Sequence, residues 1–115
     1  MKSIKYSPDY KEKIRELRKY LDNHFGTEVR VRTMTELNGR IQMLRQHERS
    51  GISVREALNV DSDYYYIYSV HNYVFYFFDH EEIFIVNIYN EKEDFMWKLF
   101  GIKTISEEGE DYWGE

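Results

Sequence analysis

Residues 64–78, Tyr-Tyr-Tyr-Ile-Tyr-Ser-Val-His-Asn-Tyr-Val-Phe-Tyr-Phe-Phe, decide how this chain folds. Aromatic and β-branched side chains fill the stretch, as they do in strands, and His71-Asn72 interrupts it near the middle. Asn tolerates the left-handed backbone that a tight hairpin requires, so the spacing predicts two antiparallel strands, Tyr64–Val70 and Tyr73–Phe78. Asp79-His80-Glu81-Glu82 then separates these from a third run of the same kind, Ile83–Tyr89. Short turns between three such runs predict an antiparallel meander. One face of it needs a cover.

The cover lies upstream. Ser7-Pro8-Asp9 reads as a helix start: Ser7 caps, Pro8 suits the first helical position, and Asp9 complements the positive helix end. Tyr10, Ile14, Leu17 and Leu21 follow at helical spacing, with Phe25 one turn on, and Gly26 supplies a stop. Thr27 is in place to cap a second helix, whose stripe of Met34, Leu37, Ile41 and Leu44 predicts continuation to about Ser50-Gly51. A connection as short as that around Gly26 makes the two helices antiparallel neighbours. Lys2–Tyr6 alternates and predicts a short first strand, while Ile52–Asp63 reads as a loop. Asp94–Phe100 predicts a final helical turn stopped by Gly101. The expected class is therefore α+β, an N-terminal strand and a helical hairpin packed on an antiparallel sheet, in the order β-α-α-β-β-β with a short C-terminal helical turn.

With 115 residues there is room for one core. The division expected is one domain over 1–105 and an acidic tail over 106–115. The chain has no cysteine, which removes disulfides, thiolate zinc sites and cysteine nucleophiles. Its apolar runs are too short to span a bilayer and its start lacks the apolar core of a signal peptide, so a cytoplasmic protein is expected. The net charge of -5 conceals a split. Residues 1–60 hold 13 Lys/Arg against 8 Asp/Glu, a charge of +5, and residues 61–115 hold 3 against 13, a charge of -10. Such a split lets the first half attract an acidic partner.

The order of these elements carries a family resemblance over most of the chain. The opening IKYSPDYKEKIRELRKYLDNHFG (Ile4–Gly26) resembles the first strand and first helix of the RelE/ParE toxin superfamily. YYYIYSVHNYVFYFF (Tyr64–Phe78) is similar to that family's central hairpin, and IFIVNIYNEKEDFMWKLFGI (Ile83–Ile102) to its last strand and C-terminal turn. The resemblance implies the toxin of a type II toxin–antitoxin pair, a group that includes plasmid stabilisation proteins. It also implies a cognate antitoxin whose extended segment packs over the toxin. The superfamily contains inhibitors of DNA gyrase, ribosome-dependent mRNA endonucleases, and members with no demonstrated activity, so three readings stay open.

Cleaving RNA requires a held phosphodiester, a group to move the 2′-hydroxyl proton, and cations for the charge that builds on phosphate. The candidates on the matching stretches are Arg55, His71 and Lys92, with Arg49 beside them. Tyr65 stands where relatives often carry Arg, and the second strand of the hairpin has no cation. This favours a toxin that works by binding protein, since RNA binding is dominated by phosphate neutralisation. Direct nucleic-acid binding is therefore not expected, and the resemblance implies gyrase or the ribosome as the possible target. His24, His47 and His80 show no ligand spacing, so neither metal nor cofactor is expected. Glu91, Glu93 and Asp94 read as a turn that caps the last helix. For the antitoxin, the expected contacts are Arg30, Arg40, Arg45 and Arg49, with Tyr65 and Tyr73 offering pockets to an added strand.

Overall fold

The computed structural model describes residues 1–93; the expected helical turn at Asp94–Phe100 and the acidic tail lie outside them. A five-stranded sheet in the order β1-β5-β4-β3-β2 carries a helical hairpin on one face. Its strands are β1 (Ser3–Tyr6), β2 (Ile52–Ser53), β3 (Tyr65–Ser69), β4 (Asn72–Phe78) and β5 (Glu82–Asn90). Its helices are α1 (Pro8–Phe25), α2 (Thr27–Gln42) and the short α3 (Val54–Leu58).

Ser7 joins the first strand to the first helix. Its N–H donates to the carbonyl of Ile85 at 2.9 Å, extending the β1–β5 ladder, while its Oγ accepts from Tyr10 N at 3.0 Å as the cap of α1. Gly26 ends α1 and begins α2. At φ +90° it holds a backbone that side-chain-bearing residues avoid, and its N–H closes on the carbonyls of Leu21 and Asp22. Thr27 is thus the first residue of α2, not its cap, and no side chain caps that helix.

Packing follows the helical stripes. Tyr10, Ile14 and Leu21 of α1 and Met34, Leu37 and Ile41 of α2 are buried, with Leu44, against Ile67, Val74, Tyr76, Ile83, Ile85 and Ile88 of the sheet. Leu17 is half-buried, and Phe25 is exposed at the hairpin tip.

Four further expectations need correction. The sheet is mixed, because β1 runs parallel to β5, with Ser3 opposite Glu82 and Tyr6 opposite Ile85. A strand that enters its helix at once must pair wherever that helix crosses, and α1 crosses β5. The second helix stops at Gln42, followed by a tighter turn at Met43–Arg45 rather than running to Ser50. Arg45 explains the break: its carbonyl accepts from Lys2 N at 3.1 Å and its Nε donates to Lys2 O at 2.9 Å, tying the chain to β1. The stretch 52–63 is not all loop. Ile52–Ser53 pairs with Tyr66 and Tyr65, and α3 follows, with Ser53 as its cap and Asn59 ending it at φ +55°. Val54 is fully buried there with Phe75 and Tyr89, so α3 covers part of the second face of the sheet.

The hairpin turn is the fourth correction. Ser69 pairs with Asn72, so the two turn residues are Val70 (φ +47°) and His71 (φ +66°), and Asn72 belongs to β4. Both central residues at positive φ match a type I′ turn. A β-branched residue there is strained, at a cost of about 1–3 kcal/mol. On the other side of β4 a bulge intervenes. Phe75 faces Asn87 and Tyr76 faces Ile85, leaving Val86 unpaired. The extra residue lets Ile83 and Ile85 face the helices before it and Ile88 after it.

Candidate functional site

The candidate residues fall into two groups at opposite ends of β3. At its start, Arg49, Arg55 and Tyr65 line a cleft of about 330 Å³ with Phe77 and Phe78. Arg55 is held by two carboxylates, Asp61 at 2.9 Å and Asp63 at 3.2 Å. Arg49 lies over the Phe78 ring, 5.3 Å from its centroid, and donates to the Tyr65 hydroxyl at 3.3 Å. Both guanidinium groups therefore have partners within the fold.

At the far end, the strained turn presents His71 to the residue that follows β5. Glu91 takes the Tyr68 hydroxyl on one carboxylate oxygen at 2.6 Å and faces His71 Nδ1 with the other at 2.9 Å. The backbone fixes this meeting, since Glu91 N donates to His71 O at 2.9 Å. The Tyr68 hydrogen bond, then that from His71, holds Glu91 below the usual carboxylate range. The same bond to Glu91 raises Tyr68, whose ionisation would break it and set two anions side by side. Chemically this is an imidazole oriented by a carboxylate, the supporting half of an acid–base pair. Lys92 lines the adjoining cleft with Lys13, yet Lys13 is turned inward, 3.7 Å over the Tyr89 ring and bonded to the carbonyl of Ile88.

The partner candidates are distributed differently. Arg30 closes an ion pair with Asp22 across the helical corner at 2.7 Å. Arg40 lies half-buried against the sheet, with Nη1 shielded from solvent. Arg45 is spent on Lys2. Tyr65 packs between Tyr76 and Phe78, and Tyr73 packs against Tyr66 and Tyr68. On the second face, Tyr64, Phe77 and Phe84 stack ring on ring across the strands, at centroid distances of 5.9 and 4.8 Å.

Two features escaped sequence reasoning. The Tyr68–Glu91 bond is one, although a register placing Asn72 opposite Asn90 puts His71 and Glu91 side by side. The other is the edge of β3. Among the described residues, its pairing with β2 stops at Tyr66, so Ile67–Ser69 lie at a sheet edge, with Tyr68 exposed. Also among the described residues, no group of three His, Asp or Glu side chains is placed to hold a metal ion, and no helix is long and apolar enough to cross a membrane.

Comparison with known proteins adds two findings. The family model of the ParE toxin of the type II toxin–antitoxin system parDE matches residues 4–95. Among solved structures, a chain from the chromosomal ParDE toxin–antitoxin system of P. aeruginosa superposes with a TM-score of 0.64. That match has 14% sequence identity and covers 78% of this chain and 96% of the other, so it speaks to the fold. The search of curated proteins gives no match.

Proposed function

Because the chain belongs to the ParE toxin family of type II toxin–antitoxin systems, we propose that it arrests growth by binding a protein target of the DNA gyrase type, and that a cognate antitoxin neutralises it. One observation carries the binding reading over an enzymatic one. The cations that would hold a phosphodiester are divided between the two ends of β3, and β3 and β4 contribute none between them. Arg55 is already paired with Asp61 and Asp63. Stabilising a phosphorane-like charge needs convergent donors, and these do not converge.

The antitoxin supplies an extended segment along β3 beyond Tyr66, where the sheet edge continues past its two-residue neighbour. Its acidic residues meet the basic first half of the chain. Arg32 is exposed on α2, which lies over β3, whereas Arg40 is half-buried and Arg45 is bonded to Lys2. The second reading, a ribosome-dependent endonuclease, draws its support from His71 held by Glu91.

The test is induction of this chain in growing cells, with DNA and protein synthesis followed separately. Binding of a gyrase-type target predicts that DNA synthesis falls first and that co-expressed antitoxin restores growth. Early loss of translation with cut mRNA ends would favour the endonuclease, and undisturbed growth would favour a toxin fold that serves only in a complex.

A further inference from the structure

One flank of α1 carries a row of cations that the fold does not use. Lys11, Arg15, Arg18 and Lys19 are all exposed, and none forms an ion pair among the described residues. At about 100° per residue they share one arc of the helix, beside the buried arc of Tyr10, Ile14 and Leu21. The acids of the same helix, Asp9, Glu12 and Glu16, fall together on the adjoining arc. Asp22, the carboxylate within the cationic arc, is taken by Arg30 of α2 at 2.7 Å. A helix side that meets only water gains by setting opposite charges three and four apart. Here Lys11–Arg15 and Arg15–Lys19 are like-charged pairs four apart, and Arg15–Arg18 is one three apart. Each works against the helix, and segregation kept at that cost points to a partner bearing negative charge.

The makeup of the arc selects the partner. Between Lys11 and Asp22 it holds no exposed apolar side chain, whereas a protein interface is built on a desolvated apolar centre. A phosphate backbone needs only cations. Single-stranded nucleic acid is held by bases stacked on aromatic rings, and the arc has none. A duplex fits. From Lys11 to Lys19 the helix rises about 12 Å, and each strand of a DNA duplex presents a phosphate about every 3.4 Å of axis. Four long cationic side chains so spaced can meet three or four successive phosphates. The net charge of -5 does not prevent this, because charges more than about 10 Å from the flank are largely screened at 0.1 M salt. We propose that this flank of α1 binds the phosphate backbone of double-stranded DNA without regard to sequence. The choice of DNA over an RNA duplex rests on the proposed gyrase-type target, whose substrate is DNA. The expectation against direct nucleic-acid binding came from the cation-poor strands, and α1 lies outside them.

The test is fluorescence anisotropy of a short, labelled, mixed-sequence DNA duplex titrated with the purified full chain, without gyrase, over a series of salt concentrations. The parent should bind with an affinity that falls as salt rises, with a log–log slope of about -3. Arg15→Gln and Lys5→Gln remove the same charge, the first from the flank and the second from an ion pair with Glu82 on β1. Arg15→Gln should weaken binding several-fold and make the slope shallower by about one, while Lys5→Gln changes affinity less than about twofold. Lys11→Gln, Arg15→Gln and Arg18→Gln together should abolish binding with circular dichroism unchanged, because all three side chains are exposed. Five results would each overturn the proposal: no binding by the parent, equal weakening by Arg15→Gln and Lys5→Gln, a slope that the triple variant leaves unchanged, tighter binding of a matched RNA duplex, or displacement of the DNA by poly-glutamate at equal charge. The last would give the flank to an acidic protein. None of them touches the gyrase reading, which fails instead on undiminished supercoiling.

Discussion

Tyr76→Phe removes one oxygen from the centre of the fold and should cost about 2 kcal/mol. The ring is fully buried and remains in place, so no cavity opens and the loss is confined to hydrogen bonding. Tyr76 Oη donates to the carbonyl of Glu48 at 2.7 Å and accepts from the N–H of Gly51 at 3.1 Å. Each such bond contributes roughly 0.5–1.5 kcal/mol, and leaving a buried partner unpaired costs about 1–3 kcal/mol. Glu48 and Gly51 are half-buried, so water recovers part of that penalty, which places the sum near the lower end. Burial pushes the same hydroxyl up to about 12, so it stays protonated and donating across the working range. For a domain of this size, about 2 kcal/mol lowers Tm by roughly 8 °C. Gly51→Ala provides the companion. A Cβ there would collide with Tyr76 Oη and come within 2.8 Å of the carbonyl of Tyr66. Removing Oη relieves the worst of that collision, so the double variant should lose less than the two single losses combined. Urea unfolding of the four proteins measures the cycle. A Tyr76→Phe loss below about 0.5 kcal/mol, or strict additivity, would refute the view that this hydroxyl anchors the chain between the helical hairpin and β2.

Three further outcomes follow from the same geometry. Val70→Asn places a residue that accepts left-handed φ where valine is strained, and should raise stability by about 1 kcal/mol in thermal melts, less any packing lost; a clear fall would show the turn is not strained. Tyr10→Phe removes a buried hydroxyl that has no hydrogen-bond partner among the described residues, so stability should hold or rise slightly; a loss above about 1 kcal/mol would reveal a partner. Glu91 and Asp79 both titrate below their ordinary values, Glu91 through Tyr68 and His71, and Asp79 through the N–H groups of Glu81 and Glu82. Their stabilisation is therefore complete above about pH 4.5 and lost as pH falls through the depressed folded values. Glu91→Gln with Asp79→Asn should flatten the decline in Tm between pH 5 and 3, and an unchanged slope would count against it.

How much of this was legible depends on distance along the chain. Ser7-Pro8-Asp9 and Gly26 announced the ends of α1 because caps and stops are local chemistry. The three main strands were legible from side-chain type alone. The parallel partner of β1 was not, because no residue of Lys2–Tyr6 encodes a neighbour some eighty positions away. The end of α2 was hidden for a related reason: Arg45 leaves the helix to reach Lys2, and Tyr76 takes hold of Glu48 and Gly51. By contrast, α3 carried readable signals, with Ser53 as a cap and Asn59 as a stop, that a five-residue helix makes easy to overlook. At the site, the basic residues were found by type, but their partners decided their roles. Asp61 and Asp63 neutralise Arg55, and Lys2 occupies Arg45, which a count of charges along the sequence does not reveal. The strained turn at Val70 went unread because Asn72 looked the better turn former, while strand register placed it one step beyond.

The most direct test of the central claim uses purified components. The full chain is added to DNA gyrase with relaxed plasmid, and in parallel to a reconstituted translation reaction whose mRNA ends are mapped. The account predicts that supercoiling stops, that the cognate antitoxin restores it, and that the mRNA stays intact. Undiminished supercoiling together with ribosome-dependent mRNA cuts that Arg55→Ala with His71→Ala abolishes would contradict it.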